Sequence, residues 1–105
     1  MRFLAACLAL VLLGGCASEV GSDEEACETA HEVAREIDAG EAPAEQMNQW
    51  EFRLAEASVR ATDHELSVAL RMLADAASNI ADRYEDDERH EVFDTVLERV
   101  NKSCK

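Results

Sequence analysis

The chain has 105 residues, with 23 acidic and 10 basic side chains and a formal net charge of −13 at pH 7. That length makes one domain. The charge excludes nucleic acid, whose phosphates need a basic surface, and a polybasic grip on anionic lipids. High charge with few apolar residues would signal disorder, but here 48% of the residues are hydrophobic and they recur at helical spacing.

The chain opens with Arg2 and then Phe3–Leu13, eleven uncharged apolar residues. A positive start before a run of this length is the build of a secretory leader. It is too short to cross a bilayer, which takes about 20 apolar residues. The run closes on Leu13-Gly14-Gly15-Cys16, where an ordinary leader would end in an A-x-A-like site. This order of residues resembles the lipobox of bacterial lipoproteins. The resemblance covers residues 1–16 and implies a signal peptide over 1–15, cleaved before Cys16. It further implies a thioether-linked diacylglycerol on Cys16 and acylation of the new amino group. Two or more acyl chains anchor a protein stably where one is marginal, at about 0.8 kcal/mol per buried CH₂. The partner implied is the membrane itself, through the Cys16 lipid, and the location is outside the cytoplasm on the cell membrane. Residues 16–105 keep nine of the ten basic side chains and all 23 acidic ones, a formal charge of −14. Such a domain is held by its lipid and otherwise repelled from an anionic surface. Residues 16–22 form the lipidated N-terminus and a tether whose 17–21 stretch reaches about 17 Å when extended. The helical domain is expected over 23–105.

Ser22 with Glu25 matches the capping box S-x-x-E, and Asp23, Glu24 and Glu25 complement the dipole of a first helix from about Asp23 to Asp38. Ala26, Cys27, Ala30, Val33, Ala34 and Ile37 are its apolar stripe, and Gly40 ends it. Pro43 fits the first position of a second helix. That helix has one face of Met47, Trp50, Leu54 and Ala57 and another of Phe52, Ala55 and Val59, so it is expected to touch more than one neighbour. Thr62 with Glu65 repeats the capping box, with Asp63 as an alternative cap. Leu66, Leu70, Leu73, Ala77, Ile80 and Tyr84 then give the clearest stripe in the chain. In the acidic run Glu85-Asp86-Asp87-Glu88, Asp86 or Asp87 caps a fourth helix. That helix carries Val92, Phe93, Val96, Leu97, Val100 and Cys104 and ends among Arg99, Lys102 and Lys105.

These elements make an all-α fold, an antiparallel up-down four-helix bundle. A competing reading has three helices, because Phe52, Val59, Leu66, Leu73 and Ile80 keep an unbroken seven-residue repeat that could join 43–84 into one long central helix. The local caps and the different face of Met47, Trp50 and Leu54 favour a break at Thr62.

A thin core of Ala, Leu and Val in so small a domain calls for a staple. Of the four cysteines, Cys7 leaves with the leader and Cys16 takes the lipid. Cys27 and Cys104 remain in an exported chain, where disulfides persist. An even number of antiparallel helices brings the start of the first and the end of the fourth to one end of the bundle. A Cys27–Cys104 disulfide is therefore expected.

Chemistry is harder to find. The three histidines are spread over the bundle: His64 at the cysteine end, His31 in mid-helix and His90 near the far end. They cannot share one ion and read as surface or helix-end residues. No C-x-x-C-H, E-x-x-H pair or H-E-x-x-H is present, so no metal or cofactor is expected. Four successive carboxylates at a helix start do not converge on Ca²⁺ without other ligands. The serines stand in no nucleophile elbow, and no glycine-rich phosphate loop exists. An enzyme is not expected. Trp50 alone has the character of a binding hot spot, although its spacing with Met47 and Leu54 reads as a core anchor. The function expected is a lipid-anchored protein-binding or structural module of the cell envelope. Alternatives are a prophage-type lipoprotein that interferes with phage infection, an envelope metal or haem carrier, and a minor hydrolase.

Overall fold

The computed structural model describes residues 23–104. The leader, Cys16, the tether with Ser22 of the first expected capping box, and Lys105 lie outside the described residues. Four helices form: α1 (23–39), α2 (Ala44–Arg60), α3 (His64–Asp82) and α4 (Asp87–Ser103). No strand occurs among the described residues.

Local chemistry sets the breaks. Gly40 adopts φ 132°, a region L side chains avoid, and its N–H closes on the Ile37 carbonyl at 3.4 Å. Pro43 is the N-cap of α2 and not its first helical residue. Its extended ψ of 148° holds it outside the helix, while its carbonyl accepts from Gln46 and Met47. The α2–α3 break falls at 61–63, so the single helix over 43–84 does not form. Asp63 caps α3 by accepting from the Leu66 N–H at 3.0 Å. The Thr62–Glu65 box is not used, because Thr62 turns to α1: its N–H and hydroxyl donate to the Asp23 carboxylate at 2.7 and 2.9 Å. Asp86 caps α4 through the Glu88 N–H at 3.0 Å.

The same contacts fix the topology. At one end, the Thr62–Asp23 pair and the Cys27–Cys104 disulfide, with Cα atoms 5.9 Å apart, join the α1 start, the α2–α3 turn and the α4 end. At the other end, the Tyr84 hydroxyl donates to the Ile37 carbonyl, tying the α3–α4 turn to the end of α1. Neighbouring helices therefore run antiparallel in an up-down-up-down bundle.

The core is a line of side chains at three- and four-residue spacing. Ala30, Val33 and Ile37 of α1 meet Trp50 and Leu54 of α2, Leu66, Leu70, Leu73 and Ile80 of α3, and Phe93 and Val100 of α4, all nearly or fully buried. α3 buries the most residues and is the spine of the bundle. Of the expected second face of α2, Ala55 packs half-buried against the core, but Phe52 is 64% exposed and Val59 81%. The reason is geometric. α2 packs along its Met47–Trp50–Leu54–Ala57 stripe, with Arg53 reaching α1 on one flank and Ser58 meeting α3 on the other. Phe52 and Val59 lie on the opposite side, where no helix stands. Val92, placed in the α4 stripe by spacing, is likewise 51% exposed.

Candidate functional site

Trp50 is fully buried, so it is a core anchor and not a contact surface. Its indole N–H donates to Glu36 at 3.0 Å. Arg53 donates to both oxygens of the same carboxylate at 3.0 Å and to Glu32 at 3.2 Å. This knot aligns α1 with α2 and satisfies a buried indole that would otherwise lack a partner. A second polar clasp joins α2 to α3. The Ser58 hydroxyl donates to the Ser67 carbonyl at 2.7 Å, and the Ser67 hydroxyl to the Ser58 carbonyl at 2.8 Å. Neither knot was visible in the sequence, because each pairs residues from different helices. Both are occupied with holding helices together.

The histidines lie apart. His31 shares a 2.7 Å hydrogen bond with the Asn101 side chain, which joins α1 to α4. His90 meets the Tyr84 carbonyl at 2.7 Å, with the two rings edge to face at 4.8 Å. His64 is exposed at the start of α3. Among the described residues no three His, Cys, Asp or Glu side chains gather as a metal site. In the acidic run, Asp86 caps α4 and pairs with Arg89 at 3.4 Å; Arg89 also reaches Asp82 and the Asn79 carbonyl.

What remains is surface. Five large hydrophobic side chains are exposed among the described residues: Phe52, Val59, Val68, Met72 and Val92. They fall into two groups. The first is a ridge on the outer side of α2, where Glu45, Phe52, Glu56 and Val59 succeed one another at i, i+7, i+11 and i+14, one side of the helix. The second lies along the α3–α4 seam. Val68 and Met72 are one turn apart on α3, and the Arg99 guanidinium of α4 lies 3.6 Å from the Met72 sulfur. Val92 stands two turns before Arg99 on α4. Toward the disulfide end the seam opens into a groove of about 340 Å³ lined by His64, Glu65, Val68, Ala69, Arg99, Lys102 and Ser103. Arg53 and Arg89 are engaged with carboxylates, whereas Arg99 and Lys102 form no ion pair among the described residues. The ridge therefore alternates apolar with acidic side chains, and the groove sets Val68 and Ala69 among polar residues, with the basic Arg99 and Lys102 against the acidic Glu65. Sequence reading missed both, having assigned Phe52, Val59 and Val92 to buried stripes. The alternation of Glu45 and Glu56 with Phe52 and Val59 on one face was the available signal.

The class defined by these observations is a disulfide-closed antiparallel helical bundle. Compared with protein-family models, with curated proteins and with solved structures, the chain matches none.

Proposed function

We propose that this protein is exported, held to the cell membrane by a lipid on Cys16, and acts there as a protein-binding or structural module of the envelope. The observation that carries this reading is Leu13-Gly14-Gly15-Cys16 at the end of an eleven-residue apolar run. Two further features support it. A Cys27–Cys104 disulfide suits an oxidising compartment. The net charge of −13 leaves no polybasic grip on anionic lipids to compete with a lipid anchor. The exposed ridge and groove supply surfaces for protein contact.

The test compares the full chain with Cys16→Ser. The expected wild-type product partitions into detergent, and its intact mass begins at Cys16 with diacylglycerol and an acyl group added. Cys16→Ser loses the added mass and the processing. If wild type carries no acyl mass, or if both forms partition alike, the anchoring is refuted.

A further inference from the structure

We propose that the α2 ridge of one copy docks into the α3–α4 groove of a second copy, so that the protein associates side by side with itself. The proposal rests on the match of the two features in chemistry and in height, and it goes beyond the lipid anchor.

Height follows from the helix rise of 1.5 Å per residue. Take the disulfide end as the base. Phe52 is eight residues before the end of α2 at Arg60, and Met72 is eight residues into α3 from His64, so each stands about 12 Å above the base. Glu56 is four residues before the end of α2, and Arg99 is four residues before the end of α4 at Ser103, so each stands about 6 Å up. Val68 lies at that same lower level. A second copy with its axis parallel to the first therefore brings Phe52 level with Met72 and Glu56 level with Arg99. No slide along the axis is needed.

The chemistry matches as well. The ridge offers Phe52 and Val59, 64% and 81% exposed, alternating with Glu45 and Glu56. The groove offers Val68, 41% exposed, beside Arg99 and Lys102, and Met72, 36% exposed, continues the same α3–α4 seam above it against Arg99. Glu65 is the single carboxylate in the groove lining. In a chain of net charge −13, a groove lined by two cations that form no ion pair among the described residues, and by one carboxylate, favours an acidic surface. The acidic surface known to be at hand, at the right height, is that of another copy. A helix laid in a groove is a common recognition mode. Because ridge and groove are different surfaces, the contact is heterologous: each copy keeps one ridge or groove for a third, and rings or rows result. The overall negative charge opposes this in free solution. Confinement of parallel copies on one membrane raises their effective concentration and favours it.

The test uses the full chain, purified from membranes and reconstituted in vesicles of neutral phospholipid. Separate batches labelled with donor and acceptor dyes report proximity by energy transfer, and intact mass records the lipid. Four further forms are compared with wild type: Glu56→Arg, Arg99→Glu, the double exchange Glu56→Arg/Arg99→Glu, and Phe52→Glu. All sites are exposed, and circular dichroism checks the fold. The expected result is self-association of wild type, roughly tenfold weaker in each single charge reversal, regained in the double exchange and lost in Phe52→Glu. Wild type that stays single on the vesicle, single reversals that associate as wild type does, or a double exchange that regains nothing would each overturn the proposal. The intact mass separates these outcomes from a failure of lipidation. If the chain carries no lipid, the same forms are compared in concentrated solution by sedimentation, with the same outcomes deciding.

Discussion

Cutting the Cys27–Cys104 bond should remove a large share of the domain's stability. The two cysteines are 77 positions apart in sequence, so nearly the whole described domain lies inside the loop they close. Fixing the ends of such a loop removes unfolded-state entropy worth about 4.5 kcal/mol at 25 °C. Small domains with thin cores sit at the lower end of the usual range of about 5–15 kcal/mol. The double variant Cys27→Ala/Cys104→Ala should therefore be marginally folded or unfolded in water. Urea unfolding followed by circular dichroism measures the loss. With a urea slope of about 1 kcal/mol per M for a domain of this size, the midpoint should fall by about 4 M. Either single alanine variant should lose nearly as much as the double, because removing one thiol breaks the same bond. A loss under about 1 kcal/mol would refute the entropy reasoning. It would mean that the unfolded chain already keeps its ends together, or that packing alone holds α1 against α4.

Two other predictions concern the helices themselves. Leu73, fully buried at the centre of α3, should lose about 2–5 kcal/mol on Leu73→Ala; a smaller loss in urea unfolding would show that the core around α3 collapses into the space. Asp63→Ala should lose about 1 kcal/mol by removing the α3 cap. If Asp63→Ala unfolded at the wild-type urea midpoint, the assignment of Asp63 as the working cap would be wrong.

Features that depend on one helix at a time were legible before the fold was known. The stripes of α1 and α3, the stop at Gly40, the cap at Asp86 and the break near Thr62 all follow from local spacing and capping chemistry. The disulfide followed from counting antiparallel helices. The errors came where a neighbour decides. Phe52 and Val59 share a seven-residue repeat with Leu66, Leu73 and Ile80, yet the turn at 61–63 resets the helix, so the first two face outward and the last three inward. Thr62 looked like a cap because sequence does not show Asp23 beside it. Trp50 was readable as a core anchor from its spacing with Met47 and Leu54, but its bond to Glu36 was not, since that carboxylate belongs to a different helix. The surface proposed for self-association was hidden for the same reason. Exposure depends on which flank of α2 is left without a partner.

The sulfur bridge also sets how the molecule would respond to being pulled. Tension applied between the beginning of the chain and its last residues enters at Cys27 and leaves at Cys104. It crosses directly from one to the other, and the helices between them carry almost none of it. A tug on the C-terminus against an anchor at the N-terminus would therefore load the turn of α1 before Cys27 and its Asp23–Thr62 tie, and leave the rest of the bundle folded until the covalent bond itself is cut.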